Sequence, residues 1–124
     1  MFIQYNPNPE QLMTDDCSVR ALCKALDLTW DEAFALIFTE AFKRKVMTED
    51  KAIIGSLLKA NGFDRRIIEN TCPDCYTFED FCKDHPKGLF VLASGSHVAA
   101  VNNGDLFDAW DSSKEIPQYY WEAV

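Results

Sequence analysis

The first part of the chain repeats apolar residues at helical spacing. One stretch predicts a helix from Asp15 or Asp16 to about Leu26, built on an apolar stripe of Val19, Leu22, Cys23 and Leu26. A second helix is predicted behind the T-x-x-E capping-box pattern that starts at Thr29. Its broad apolar face is typical of a core helix and comprises Trp30, Ala33, Phe34, Ile37, Phe38 and Ala41.

The pattern then changes from helical periodicity to alternation. A third helix is predicted to start after Thr48 and to stop at residues 61–62, and a short fourth helix is predicted after Thr77. Three strands follow, over residues 89–93, 97–101 and 106–110, with an Asn-Gly turn before the last. Helices first and strands second predict an α+β fold, in which an N-terminal helical half packs on a C-terminal antiparallel β-sheet.

Length and composition favour one domain. The chain has 124 residues, is 48% hydrophobic and contains nine Phe, four Tyr and three Trp. These apolar and aromatic residues are enough for a single domain with one core over residues 1–124, and such a fold is stable without disulfides or a structural metal. No cofactor is predicted.

The net charge and the lack of targeting signals limit the kinds of partner that are expected. A net charge of −8 repels a phosphate backbone, and the short basic cluster 43–45 has no aromatic residues between its charges, so nucleic-acid binding is not expected. No segment has the features of a signal peptide or a membrane span, which predicts a soluble cytoplasmic protein without membrane contact. Five cysteines, an odd count, favour reduced thiols over a disulfide framework.

One cysteine is placed for reactivity. Cys17 stands at the predicted start of the first helix, on the side opposite the apolar stripe, so its thiol is expected to point away from the core. A helix N-terminus stabilises a thiolate through unsatisfied backbone N–H groups and the helix dipole. His97 is the best candidate for an imidazole partner, because His85 lies in a charged stretch at a helix end.

Two aspartates compete to orient His97. If the hairpin loop is centred on residues 102–103, Asp108 lies directly opposite His97. A tight turn at residues 103–104 instead moves the opposite position two residues on, next to Asp111. Periodicity leaves both registers open. Either carboxylate completes the thiol, imidazole and carboxylate set of a cysteine hydrolase.

Two motifs of this chain resemble those of small papain-like cysteine peptidases, including uncharacterised bacterial and phage domains. These domains combine an Asp-Cys-x-x-Arg-Ala helix with a hairpin running from Gly-x-His to Trp-Asp-Ser-Ser. Here the elements read Asp16-Cys17-Ser18-Val19-Arg20-Ala21, Ser94-Gly95-Ser96-His97-Val98-Ala99-Ala100-Val101 and Phe107-Asp108-Ala109-Trp110-Asp111-Ser112-Ser113.

The resemblance implies a papain-like fold and a thiol hydrolase that cleaves peptide or amide bonds of a peptide or protein substrate. Papain-like enzymes have a tryptophan two residues after the residue that orients the histidine, which implies Asp108 first and Asp111 in reserve. They also place an oxyanion-hole glutamine six residues before the cysteine. Gln11 stands at that spacing from Cys17, and Asn8 is the substitute.

Two alternatives remain open. The spacing C-x2-C-x6-C-x2-H provides four possible zinc ligands, which would make the chain a zinc-stabilised, non-catalytic interaction module: Cys72, Cys75, Cys82 and His85. The same triad can also support acyl transfer or deamidation instead of hydrolysis.

Overall fold

Four helices and six strands form in the computed structural model, which describes all 124 residues. The helices are α1 (Cys17–Leu26), α2 (Trp30–Arg44), α3 (Lys51–Ala60) and α4 (Phe78–Asp84). The strands are β1 (Phe2–Gln4), β2 (Phe63–Ile67), β3 (Leu89–Ala93), β4 (Val98–Asn102), β5 (Asp105–Asp108) and β6 (Tyr119–Ala123). The α+β class is therefore as predicted. No helix has the length and apolar character needed to cross a membrane.

The strands make one mixed sheet in the order β1-β5-β4-β3-β6-β2. All neighbours are antiparallel except β1 and β5, which are parallel, so the prediction of a purely antiparallel sheet is wrong. The alternation pattern did not predict β1 or β6. The first is only three residues long, and the second contains Tyr119-Tyr120-Trp121, which has no alternation between apolar and polar residues.

The sheet is covered on both faces. Helices α1, α2 and α3 pack on one face around a core of 16 buried residues, which takes Val91 and Ala93 from β3. Helix α4 covers the other face around a second core of eight residues, which takes Phe90 and Leu92 from the same strand. Successive residues of a strand point to opposite faces, so β3 supplies both cores and is buried on each side.

The N-terminus of α1 lacks a side-chain capping hydrogen bond. Asp16 is the N-cap residue, yet its side chain accepts no capping hydrogen bond from the helix backbone. By contrast, Thr29 and Glu32 form the complete capping box predicted for α2, with hydrogen bonds of 3.2 and 3.0 Å. The Asp16 carboxylate is thereby left for other partners beside the first residue of the helix, Cys17.

The broad face predicted for α2 divides into a buried stripe and an exposed one. Ala33, Ile37 and Ala41 are buried, as expected. Phe34 and Phe38 are 39% and 54% exposed, so their placement in the core was wrong. Three small or aliphatic side chains suffice to pack this helix on its neighbours, which leaves the aromatic rings outside.

The β4–β5 hairpin turns at Asn103-Gly104. Both residues have positive φ, 50° and 81°, as a two-residue hairpin loop of type I′ requires. Strand pairing runs from this turn as far as Ala100 opposite Phe107. The hairpin positions beyond that pair, including His97 and Asp108, therefore lie together at the open end of the two strands.

Candidate active site

Cys17 is the first residue of α1 and lines a cleft of about 790 Å³. The thiol is half-buried, which agrees with its position off the apolar stripe. His97 lines the same cleft and is close enough to the Cys17 thiol to lower its pKa, although the two are far apart in sequence. Other side chains of the wall come from α2, the α2–α3 connection and the C-terminal half of the chain: Trp30, Phe34, Thr48, Glu49, Ser96 and Trp110.

The imidazole of His97 is held by Asp108. His97 Nε2 lies 2.6 Å from Asp108 Oδ2, and the carboxyl group is fully buried. The turn corresponds to the register that puts Trp110 opposite His97, and the Trp110 ring packs on the imidazole with 4.6 Å between centroids. Asp108 reaches His97 nevertheless, because both lie beyond the last residue pair between β4 and β5. Asp111 is exposed and accepts a hydrogen bond from Ser113 N, so it does not reach the imidazole.

The Asp108 carboxylate is saturated with donors. Besides His97, it accepts hydrogen bonds from Ser112 Oγ at 2.5 Å, Ala109 N at 2.8 Å and Arg20 Nε at 3.0 Å. Burial tends to raise the pKa of this carboxyl group, but the hydrogen bonds from His97 and Ser112, together with the positive charges of His97 and Arg20, lower it overall. Asp108 is therefore a fixed negative charge behind the imidazole.

A buried ionic chain continues from Asp108 into α1. The Arg20 guanidinium also donates from Nη1 to Asp16 Oδ1 at 2.6 Å, and Trp30 Nε1 donates to the other oxygen of Asp16 at 2.9 Å. Arg20 and Asp16 are only 4% and 6% exposed. No role was predicted for Arg20. Its signals in the sequence were its place in the Asp-Cys-x-x-Arg-Ala motif and an acidic residue four positions earlier on the same helix.

The electrostatics of the pair favour a thiolate and an imidazolium. Burial acts to raise the pKa of Cys17, yet interaction with His97 and the backbone of Val98 lowers it below its ordinary value. Burial also opposes the charged form of His97, but the hydrogen bond to Asp108 raises the pKa of the imidazole to about 9. Each charge is thus stabilised by its neighbour, and Cys17 has the lowered pKa of a reactive thiol.

The Lys51 side chain places a positive charge near this pair. Lys51, at the start of α3, lines the cleft and donates from Nζ to Ser94 O at 2.6 Å. Burial lowers the pKa of Lys51, whereas the nearby Cys17 charge raises it. The ammonium therefore adds positive potential around the thiol.

The two predicted oxyanion donors are placed differently. Asn8 is 5% exposed and lines the cleft, and its Nδ2 donates to no acceptor within the protein. Gln11 is exposed, lies outside the cleft wall, and donates its side-chain amide to Asn6 O and Asn8 O. Its left-handed φ of 55° closes the 6–11 loop on itself. Asn8 is accordingly the candidate that the structure brings to the site, and Gln11 is not.

The alternative zinc ligands do not converge. Cys72 and Cys75 form a disulfide, which also corrects the expectation that all five cysteines are reduced. Cys82 is 4% exposed in the α4 core, and His85 stacks on Phe81 at 3.8 Å. No three of the chain's His, Cys, Asp and Glu side chains are grouped to hold a metal ion.

Comparison with known proteins adds no assignment to this geometry. No protein-family model, no curated protein sequence and no solved structure matches the chain significantly.

Proposed function

We propose that the protein is a papain-like thiol hydrolase that cleaves peptide or amide bonds through a Cys17, His97 and Asp108 triad. The observation that carries this proposal is the position of the imidazole between the Cys17 thiol and the buried Asp108 carboxylate. Nucleophile, base and orienting group are the three parts that covalent acyl transfer requires, and here they border one cleft.

In the proposed reaction, Cys17 Sγ attacks the carbonyl carbon of the scissile bond as a thiolate. Asp108 occupies His97 Nε2, which leaves Nδ1 to carry the proton toward the cleft. The carbon–nitrogen bond breaks as Nδ1–H protonates the leaving amine, and a thioester forms on Cys17. Neutral His97 then takes a proton from water, which attacks the thioester, releases the carboxylic acid product and restores the Cys17 thiolate and His97 imidazolium.

The tetrahedral intermediates need donors for their oxyanion. As the first residue of α1, Cys17 has a backbone N–H that is free of the helix ladder. The unused Nδ2 of Asn8 borders the same cleft and provides a second donor. A backbone N–H and a side-chain amide are a common pair for this purpose, and each is effective because the cleft is partly shielded from water.

Thiol reactivity tests this proposal without a known substrate. We would label the protein with iodoacetamide from pH 5 to 10 and map each modified cysteine by mass spectrometry. At about pH 6 only Cys17 should react, because a lowered pKa leaves it partly as thiolate. Cys23 and Cys82 are internal controls, since burial raises the pKa of each to about 11.

Matched variants identify what activates the thiol. The substitution His97→Ala should abolish labelling of Cys17 at pH 6, and Asp108→Asn should weaken it, because the imidazolium loses its buried counter-charge. Asp111→Asn is the control and should label as the wild type does, since Asp111 is exposed. A Cys17 that is inert below pH 8, or equally reactive in His97→Ala, would contradict the proposal. A peptide-library digest then follows, in which new N-termini indicate cleavage and a gain of 1 Da on Gln or Asn indicates deamidation.

A further inference from the structure

Four aromatic rings form a regular row along the outside of α2. We call this row the aromatic ladder; it consists of Trp30, Phe34, Phe38 and Phe42. Neighbouring rings are stacked within 22° of parallel, with centroids 5.1, 6.3 and 6.5 Å apart. The exposed fraction increases along the row, from 39% for Phe34 to 54% for Phe38 and 65% for Phe42. Exposed aromatic side chains in a contiguous row are uncommon on a protein that has no partner for them.

The ladder begins inside the catalytic cleft. Trp30 and Phe34 line the cleft together with Cys17, so the row continues the wall of the site outward along α2. Trp30 is fixed at the inner end, because its indole N–H donates to the buried Asp16 carboxylate. Leu12 and Trp110, 55% and 43% exposed, add apolar surface at the cleft itself. A chain that occupies the cleft can therefore pass directly onto the ladder.

We propose that the aromatic ladder binds an extended segment of the polypeptide substrate that carries apolar side chains at alternate positions. This inference rests on the proposed hydrolase function. In an extended chain, side chains on one face recur about every 6.6–6.8 Å, close to the ring spacing of the ladder. The four rings span about 18 Å of helix, so roughly six extended residues cover them. A scissile bond must also reach Cys17 with its backbone exposed, which an extended segment permits and a helical one does not.

The size of the ladder favours a short segment over a second copy of this chain. The exposed parts of the three phenylalanine rings amount to about 300 Å². A stable dimer typically buries about 800 Å² from each partner. Two copies would also bring together two chains of net charge −8, which repel each other.

Charge at the far end of the ladder adds a preference. The ladder ends at the basic cluster 43–45, where Lys45 Nζ lies 4.1 Å from the Phe42 ring centroid. Arg44 is paired with Glu40, whereas Lys43 and Lys45 have no ion-pair partner. Carboxylates that follow the apolar segment would meet the Lys45 ammonium group at the end of the ladder. The ladder thus selects an alternating apolar segment with acidic residues beyond it.

Peptide binding to Cys17→Ala protein tests this inference, since that variant cannot turn over the probe. The probe is a fluorescein-labelled peptide with Leu at alternate positions and Ser between them over eight residues, followed by two Glu. A control peptide has the same composition with the four Leu in one block. We would measure both by fluorescence anisotropy, with Phe38→Ser/Phe42→Ser as the test variant. Leu36→Ser is the matched control, because Leu36 is 40% exposed on the same helix but lies outside the ladder.

The alternating peptide should bind at least tenfold more tightly than the block peptide, and the double variant should lose about tenfold or more of that affinity. Leu36→Ser should bind within twofold of its parent. Equal binding by both peptides, an unchanged double variant, or a wild-type dimer in sedimentation that Phe38→Ser/Phe42→Ser dissolves would each overturn the inference.

The two proposals fail separately. Iodoacetamide labelling of Cys17 at pH 6 should be the same in the wild type and in Phe38→Ser/Phe42→Ser, because neither ring contacts the triad. Selective labelling without peptide binding would remove the ladder inference alone. Ladder-dependent binding with an unreactive Cys17 would overturn the proposed function, and with it the role of the ladder in substrate recognition.

Discussion

Arg20 and Arg44 offer a matched test of what burial does to an ion pair. Each arginine is paired with an acidic residue four positions earlier on its helix, Arg20 with Asp16 at 2.6 Å and Arg44 with Glu40 at 2.7 Å. The side chains of the first pair are 5% and 5% exposed, and those of the second 45% and 23%. We would replace each arginine by Met, which keeps an unbranched apolar stem and removes the charge.

The expected costs differ severalfold. Arg20→Met leaves the buried Asp16 carboxylate without a cation and leaves Asp108 with His97 alone, and removing one partner of a buried pair costs about 3–5 kcal/mol. Arg44→Met removes a partly exposed pair, worth at most about 1 kcal/mol. For a domain of this size 1 kcal/mol corresponds to about 4 °C in Tm, so Arg20→Met should lower Tm by about 12–20 °C and Arg44→Met by no more than about 4 °C.

Urea unfolding followed by tryptophan fluorescence measures both free energies. The slope of the free energy against urea concentration should be the same in all three proteins, which shows that a shift in midpoint is a change in stability. Adding Asp16→Asn to Arg20→Met should recover part of the loss, because the charge of Asp16, which has no other cation, is then removed.

A loss below about 1 kcal/mol for Arg20→Met, equal to that of Arg44→Met, would refute this reasoning. It would mean that the buried carboxylates do not need the guanidinium, either because they become protonated or because water reaches them. A large loss that Asp16→Asn does not relieve would assign the effect to packing of the arginine stem instead of its charge.

Two further predictions concern the triad and its surroundings. Asn8→Ala should lower kcat about 10²–10³-fold in the peptide-cleavage assay if its free amide binds the oxyanion, while Gln11→Ala should change kcat less than about twofold. The pKa of His97 is raised from 6.5 to about 9 by folding, so its contribution to stability is full below about pH 6.5 and disappears as pH rises toward 9. Urea unfolding of Cys17→Ser removes the opposing thiol titration and also the part of the His97 pKa shift that Cys17 supplies. The decline in this variant should therefore begin near pH 6.5 and end below pH 9, and a flat profile would contradict it.

The N-termini of α2 and α4 were predicted well because each begins with a capping box, whose hydrogen bonds join residues only three positions apart. The capping box at Thr29 and the corresponding one at Thr77, with Asp80, are complete in the structure. Strand order depends on pairing between distant segments, which periodicity does not encode. This is why β1 and β6 were missed. The exposed side of α2 was assigned to the core for a different reason: the spacing of apolar residues along a helix is the same whether or not another element covers them.

The part of the candidate site that could be predicted consists of residues whose positions do not fit the apolar pattern around them. Cys17 stood off its apolar stripe and His97 stood beside an otherwise apolar strand, and the structure brings the two together. The choice between Asp108 and Asp111 needed three-dimensional geometry, because Asp108 reaches the imidazole across the end of the strands instead of through the register. The places of Asn8 and Arg20 in the site could not be predicted, because the burial of their side chains is set by the tertiary packing.

The position of β6 has a consequence for how the chain is made. This strand lies between β3 and β2, and it pairs residue 63 with residue 123. On the ribosome, β2 therefore has no hydrogen-bonding neighbour until the last of these residues has emerged. The nascent chain can form its helices early, but the sheet must close over long sequence separations, which is characteristic of slow folding. Until then both edges of β2 are unpaired, and one of them stays unpaired in the finished sheet, where β2 is the terminal strand. The charged side chains of Asp64, Arg65 and Arg66 are suited to keep this strand from pairing with other chains.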